Sequence, residues 1–303
     1  MKFLLLSDLH ILFNQPVGRL DNTHKVQLKK LKFVFEHAWK EGLPIIAAGD
    51  IFDAPRSWRL LSVYIDFFKY WVLEKGISFY TVRGQHDVYM YNEETNDRTT
   101  LGVLAKMGLV TILSSVPLIL DNVSIYGTSY GQEIPKINSP DTLNILVIHA
   151  PILQKRIWHG QKGHNYADEF LKEHPEFDLI LCGDIHQKFL FQDGDRIICN
   201  AGCMIRKSVA QWEHEPGFYI YDTESRKIDW EVIPHDPPEL VMSREHLDKV
   251  NQKNEMLEEF IATVKKRETG EGASFKDILL QVLEDNKIEA PVRKVISEVM
   301  EGR

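Results

Sequence analysis

Apolar and polar positions along this chain alternate between two rhythms. Residues 2–7 (KFLLLS) form a short, nearly continuous apolar run, and residues 24–42 then place Leu28, Leu31, Val34, Phe35 and Ala38 at spacings of three and four before Gly42. The first pattern predicts a buried strand and the second a helix with one apolar face, stopped by glycine. The pair recurs, with PIIAA (44–48) as a strand, 58–76 as a helix and ISFYTV (77–82) as a strand. Such a βαβα order implies a largely buried sheet with helices on its faces. From about residue 109 the rhythm changes. Runs at 109–113, 116–120, 123–127, 144–149, 178–183, 188–192, 196–200, 217–222 and 227–233 predict strands with little helix between them, hence a second, more antiparallel sheet stacked on the first. The expected fold class is a layered α/β sandwich of two stacked mixed sheets flanked by helices.

After Ile233 the pattern breaks at PHDPPEL, three prolines within five positions, and residues 243–303 become charged and helical in pattern. Residues 1–235 therefore read as one domain and 236–303 as a helical C-terminal segment. That segment carries apolar stripes, Leu247, Val250, Met256, Leu257, Phe260, Ile261 and Val264, then Phe275, Ile278, Leu279 and Leu283. Stripes without a core of their own call for a partner. The 303 residues are 44% apolar and 26% charged, enough to bury a substantial core. No apolar run reaches the roughly 18–20 residues of a membrane span, and the opening MKFLLLSDLH is interrupted too soon for a signal peptide, so a cytoplasmic location is expected. Cys182, Cys199 and Cys203 form no disulfide framework and lack zinc-site spacing; they read as reduced, buried thiols.

The polar residues stand at the strand ends. Asp8 and His10 follow the first strand, Asp50 the second and His86 the third; His149 ends a later strand, and Asp184 and His186 follow another. In open α/β sheets the carboxyl ends of strands converge on one crevice, so these seven groups are expected to meet. Singly, each has an ordinary structural reading: a strand-end histidine satisfied by a hydrogen bond, or an aspartate capping a turn. Turn chemistry alone does not readily place all of them after strands in this order. Crowded carboxylates repel unless protonated or neutralised by cations, and neutral imidazoles beside them are ready ligands. Two divalent ions roughly 3.5–4 Å apart meet both conditions and can polarise a phosphate ester while activating a water. The net charge of −8 argues against a protein that coats nucleic acid, but clustered carboxylates of a metal site would themselves make the total negative.

The motifs SDLH, AAGDIFD, RGQHD, VIHAP and CGDIHQ, with NAGCMIRKS and PGFYIYD after them, resemble those of the calcineurin-like metallophosphoesterases. Within that superfamily the chain is most similar to the SbcD-type nuclease subunit of DNA double-strand-break repair complexes, over roughly residues 1–233. The phosphatase branch carries Asp-Arg-Gly after the second motif and Glu after the third histidine, where this chain has Asp53-Ala54-Pro55 and Asp87. The resemblance implies a first metal on Asp8, His10, Asp50 and His186, with Asp50 bridging to a second held by Gln85, His149 and Asp184. It further implies that His86 stabilises the transition state and protonates the leaving oxygen, a general-acid role suited to imidazole, and Asp87 is expected to orient that ring.

Two departures fall on the second metal. The family has Asn at Gln85 and His at Asp184, so this subsite is either harder and more anionic, favouring Mn²⁺ or Mg²⁺, or slack and weakly binding. By resemblance the activity is a manganese-dependent DNA exonuclease and endonuclease, and the partners are DNA, a second copy of the chain through the helix at 58–75, and an SbcC-like ABC-type ATPase with a coiled coil. The compact tail suggests a viral or otherwise reduced member. Two other functions remain open: a small-molecule phosphodiesterase or phosphatase, and a non-catalytic subunit that only binds DNA or a partner.

Overall fold

The computed structural model describes residues 1–89, 93–137, 142–154 and 165–243; the predicted tail helices lie outside these residues. The first half of the chain runs β1 (Lys2–Leu6), α1 (Thr23–Glu41), β2 (Ile45–Ala47), α2 (Trp58–Phe68), β3 (Phe79–Thr81), α3 (Thr100–Lys106), β4 (Thr111–Ile112), β5 (Leu118–Leu120) and β6 (Val123–Thr128). The second continues with β7 (Leu143–His149), β8 (Ile152–Leu153), β9 (Asn165–Tyr166), α4 (Ala167–Glu173), β10 (Leu179–Gly183), β11 (Phe189–Asp193), β12 (Arg196–Asn200), β13 (Gly217–Asp222), β14 (Lys227–Val232) and α5 (Pro238–Val241).

Among the described residues these strands form two mixed six-stranded sheets, ordered β14-β13-β1-β2-β3-β4 and β11-β12-β10-β7-β6-β5, with β8 and β9 as a separate pair. Period-two alternation sorts each strand between layers. Phe3 and Leu5 of β1 join Ile46, Ile145, Val147, Leu179, Leu181 and Tyr221 in the core between the sheets. Leu4 and Leu6 point the other way, onto Leu31, Val34 and Phe35 of α1 and Tyr64 and Phe68 of α2. Leu146, Ile148 and Ile180 pack on Phe170, Leu171 and Phe177 outside the second sheet. The predicted sandwich of two stacked mixed sheets flanked by helices is the one observed.

The second sheet is not more antiparallel than the first. Its central strands β6, β7, β10 and β12 run parallel, with antiparallel pairs only at its two edges. The last two strands, β13 and β14, belong instead to the first sheet, where β13 lies antiparallel beside β1. The crossover helix that makes β7 and β10 parallel is α4, seven residues long, too short to display a helical period. The helix predicted over 58–76 is α-helical only to Phe68, and residues Lys69–Glu74 widen into a π turn. Leu60, Tyr64, Phe68 and Trp71 stay buried through the change, whereas Trp58, Val63, Tyr70 and Leu73 are exposed.

α1 begins at Asn22, whose side chain accepts the Lys25 N–H at 3.0 Å, and ends at Gly42 with φ 66°, the expected capping chemistry. The proline-rich stretch is tied into this unit: the Leu20 N–H donates to the Val241 carbonyl (3.0 Å), Ser243 N–H to Gly18 (2.9 Å), and Val241 and Met242 are buried. All three cysteines are free and buried, and no helix among the described residues is long and apolar enough to cross a membrane.

Candidate metal centre

The parallel strands of both sheets deliver their carboxyl ends to one place. Backbone bonds zip the loops after β1 and β2 together, His10 N–H to the Asp50 carbonyl (2.8 Å) and Ile11 N–H to Ile51 (2.9 Å). Across the sandwich, the Ser7 hydroxyl donates to the Cys182 carbonyl (2.9 Å) and the Asp184 N–H to Asp8 Oδ1 (3.0 Å). Such a junction requires small residues. A Cβ on Gly183 would fall 2.8 Å from His149 Nδ1 and nearer still to the Ala48 carbonyl, and one on Gly84 would fall 2.5 Å from the Asp50 nitrogen. Asp8, His10, Asp50 and Asp184 all have positive φ, 46°, 43°, 47° and 92°. Backbone of this kind costs about 1–3 kcal/mol per residue and concentrates at functional sites.

Asp50 Oδ2 is the hub. It lies 3.5 Å from His10 Nε2, 3.5 Å from His149 Nε2 and 4.0 Å from His86 Nε2, while Oδ1 accepts the His86 N–H at 2.9 Å. The carboxylate and imidazole atoms fall into three overlapping groups with metal-ligand spacing: Asp8, His10 and His186; His10, Asp50 and His86; Asp8, Asp50 and His149. His10 and His186 face each other through their Nε2 atoms at 2.9 Å. His10, Asp50 and His149 are buried, whereas the His86 side chain is 40% exposed and faces solvent.

Electrostatics there favour a bound cation. Burial, then the charges of Asp87 and Asp8, raises the Asp50 carboxyl to about 9, and burial also holds Asp8 well above the usual carboxylate range. Burial lowers His10 to about 3 and His149 to about 4, and it lowers His186 as well. Neutral imidazoles thus surround carboxylates that cannot ionise cheaply alone. Asp8 Oδ2 and Asp50 Oδ2 are buried without a hydrogen-bond partner, a cost that a cation removes. His149 supplies a sharper sign. Its Nδ1–H donates to the Ala48 carbonyl (2.6 Å), which leaves a lone pair on Nε2, yet that atom faces Gln85 Oε1 at 2.6 Å. Turning the amide over would instead set its oxygen against Asp184 Oδ1, now 2.5 Å from Gln85 Nε2. Two acceptors at that distance need a shared proton, or must move apart to hold a cation.

Asp87 departs from its expected role. Its carboxylate accepts three backbone N–H bonds, from Ile51, Phe52 and Gly84, each 3.1 Å, and so fastens the β2 and β3 loops to each other. The His86 ring is oriented by Asp53 instead, through Nδ1 and the Asp53 carbonyl at 2.9 Å. The side chain of Asp53 also binds Lys207 and stands 3.1 Å from His10 Nδ1. Burial raises its pKa, but the hydrogen bonds from His10 and Lys207 outweigh that and hold it well below the usual range. Gln211 completes this outer ring. Its Oε1 accepts the Lys207 and Ser208 N–H groups, and its Nε2 reaches His186 Nδ1 at 2.8 Å. Ligation by His186 Nε2 requires that amide to turn over. Asp53 was visible in the GDIFD motif; Lys207 and Gln211 follow a different strand, and spacing gave no sign of them.

The profile of the family described as calcineurin-like phosphoesterase matches residues 1–188. The chain belongs to that family. The match ends two positions beyond His186, so it takes in every predicted ligand of this phosphoesterase and stops short of Lys207 and Gln211. The family is divalent-metal dependent, in keeping with the ligand groups found here. No curated protein matches the chain in sequence. Among solved structures it is similar to an archaeal phosphodiesterase, at 14% identity over 77% of this chain and 99% of that one, with a TM-score of 0.41. It is also similar to Vps29 of Entamoeba histolytica in complex with zinc, at 10% identity over 77% and 100% of the two chains, TM-score 0.36. A third is vacuolar protein sorting 29 of Cryptosporidium parvum, at 15% identity over 76% and 95%, TM-score 0.36.

Proposed function

We propose that this phosphoesterase cleaves phosphodiester bonds in DNA with Mn²⁺, as a nuclease subunit of the SbcD type. The observation that carries the hydrolytic part is Asp50 Oδ2, buried, unpartnered and placed between imidazoles from both sheets. Asp8, His10, Asp50 and His186 would hold one ion, and Asp50, Gln85, His149 and Asp184 the other. Bound ions neutralise the phosphate and activate a water. The chain's own residues supply the rest. The Asp53 carbonyl fixes the proton of His86 on Nδ1 and turns Nε2 toward the open side of the centre, where the imidazolium form donates to the leaving oxygen. Asp53, ionised and held by Lys207, keeps the His10 proton on Nδ1 and its Nε2 lone pair inward.

DNA as the substrate rests on the GDIFD and GQHD motifs and on the surface beside them. Arg56 lies over the Tyr89 ring at 3.7 Å, three and two positions past Asp53 and Asp87. Tyr130, with its ring 6.4 Å from that of His149, is 38% exposed. Cations and aromatic faces together suit a nucleic-acid strand better than a compact ester. One observation favours a weaker second subsite: Gln85 and Asp184 bond to each other. The reading extends to partners. The exposed Trp58, Val63, Tyr70 and Leu73 would pair two copies of the chain, and the tail stripes would meet an SbcC-like ABC-type ATPase.

The deciding experiment offers linear duplex DNA and bis(p-nitrophenyl) phosphate in parallel, with Mn²⁺. Cleavage of DNA that chelation abolishes is the expected result. Hydrolysis of the aryl diester with DNA left intact would make the chain a small-molecule phosphodiesterase, and DNA binding without turnover of either would make it a non-catalytic subunit.

A further inference from the structure

Away from the metal centre, a cavity of about 220 Å³ lies between α1, the loop before it and the segments around Arg206 and Pro234–Val241. Its lining holds more cations than carboxylates: Arg19, Lys30 and Arg206 are 7%, 4% and 5% exposed, with the exposed Lys29 and half-buried His235 beside them, against Asp21 and the exposed Asp236. Only one of the three buried cations has a carboxylate. Arg19 clasps Asp21 with both Nε (2.8 Å) and Nη2, and turns Nη1 to the Arg206 carbonyl (3.3 Å). Lys30 donates to the Met204 carbonyl (3.0 Å), and Arg206 donates to the carbonyls of His214 (2.7 Å) and Asp236 (3.1 Å). Neither Lys30 nor Arg206 forms an ion pair among the described residues.

Carbonyl oxygens satisfy donors but leave the charge uncompensated, and a buried uncompensated charge costs several kcal/mol. The strain registers on Lys30, which burial, then Arg19 and Arg206, lowers to about 7. Unlike a cation that merely braces a loop, these line an open space. At about 30 Å³ per water in the liquid, that space holds roughly seven waters, room for a phosphate group and part of whatever it is esterified to.

We propose that this cavity is an anion site for a phosphate group, free or as a terminal monoester, bound by Arg206, Lys30 and Lys29 with Arg19 locked by Asp21 as its wall. Arg guanidinium and Lys ammonium are the donors that such an oxyanion takes, the first through its planar fork and the second as a point charge. The site is separate from the metal centre yet close to it along the chain. Met204 N–H donates to the Asp8 carbonyl (3.3 Å) while its own carbonyl accepts from Lys30, and Lys207, next to Arg206, reaches Asp53.

Calorimetry of the full chain after chelation tests this directly, because the metal-free centre presents carboxylates and offers no competing anion site. Inorganic phosphate should bind one to one, and a His10→Ala variant should bind it equally well. Arg206→Gln should weaken binding at least about tenfold, the worth of one charge-assisted hydrogen bond. Because Arg206 also braces two carbonyls, Lys29→Glu provides a second variant at an exposed position, again with about tenfold loss expected. Thymidine 5′-monophosphate and 5′-phosphorylated against unphosphorylated oligonucleotide separate the sources. Binding as tight as phosphate or tighter identifies a monoester end, and weaker binding identifies the free ion. No uptake of phosphate at millimolar concentration, or uptake that Lys29→Glu leaves unchanged, overturns the proposal.

Discussion

Gly84→Ala isolates the contribution of space at the metal centre from that of backbone freedom. Gly84 has φ −87° and ψ 177°, angles open to any residue, so the substitution introduces no dihedral strain. The added methyl, however, would stand 2.6 Å from Asp50 Cγ and closer to Oδ1, where ordinary contact begins at 3.4 Å. The Asp50 carboxylate or the β3 loop must therefore give way by about 0.8 Å at Cγ and by more at Oδ1. Asp50 is fully buried, with His10 and His149 each 3.5 Å from its Oδ2, so movement of its carboxylate changes both spacings. A misplacement near 1 Å costs about 10² in rate, and disturbed support of a ligand costs about 10- to 100-fold in metal affinity. Steady-state hydrolysis at saturating Mn²⁺, alongside calorimetric Mn²⁺ titration and a far-ultraviolet melt, measures all three consequences. The expected pattern is a folded protein with roughly hundredfold lower kcat and weakened metal binding. A Gly84→Ala protein within threefold of wild type in both quantities would refute the close-approach reasoning.

Four further outcomes follow from the same geometry. His86→Ala should keep both ions and lose about 10²–10⁴ in rate; a fall in metal stoichiometry, read by elemental analysis, would make His86 a ligand instead. Asp53→Ala frees Lys207 and the His10 ring while keeping the carbonyl that holds His86, so metal affinity should fall about 10- to 100-fold in a Mn²⁺ titration, with the melting temperature little changed. Gln85→Asn combined with Asp184→His exchanges an anionic oxygen for a nitrogen and should raise Zn²⁺ or Co²⁺ affinity relative to Mn²⁺; an unchanged ratio in competition titrations would place Asp184 outside the ligand set. A chain cut after Ser243 should stay soluble and keep metal-dependent hydrolysis, whereas a cut after Pro238 removes the buried Val241 and Met242 and should lower the melting temperature.

Much of this was legible because buried strands announce themselves. Each predicted strand is present within a few residues, since short, mostly apolar runs such as NILVIH and DLILCG suit a strand buried on both faces. The convergence of Asp8, His10, Asp50, His86, His149, Asp184 and His186 followed from the rule that parallel strands share a carboxyl edge. Strand direction was less legible. It depended on α4, where Phe170 and Leu171 supply most of the apolar face, and on β13 returning to the first sheet, a long-range choice with no local marker. Asp87 was misassigned because sequence adjacency to His86 suggested a contact that the 3₁₀ turn over Gln85–Asp87 prevents. The turn aims the carboxylate back at the Ile51 and Phe52 amides.

The place of β1 in its sheet has a consequence for how the protein is made. Lys2 pairs with Asp222 and Leu5 with Tyr219, so β1 leaves the ribosome about two hundred residues before the strand that covers its second edge. At 5–20 residues per second the wait is roughly ten to forty seconds. Throughout it, a five-residue strand carrying Phe3, Leu4, Leu5 and Leu6 offers an open ladder to any passing chain. The loop bearing Asp8 and His10 spends most of that interval without His149, and still more of it without Asp184 and His186, to share an ion. Nascent chains stalled before His149 are therefore the form in which β1 has an uncovered edge and the ligands from the second sheet are still missing.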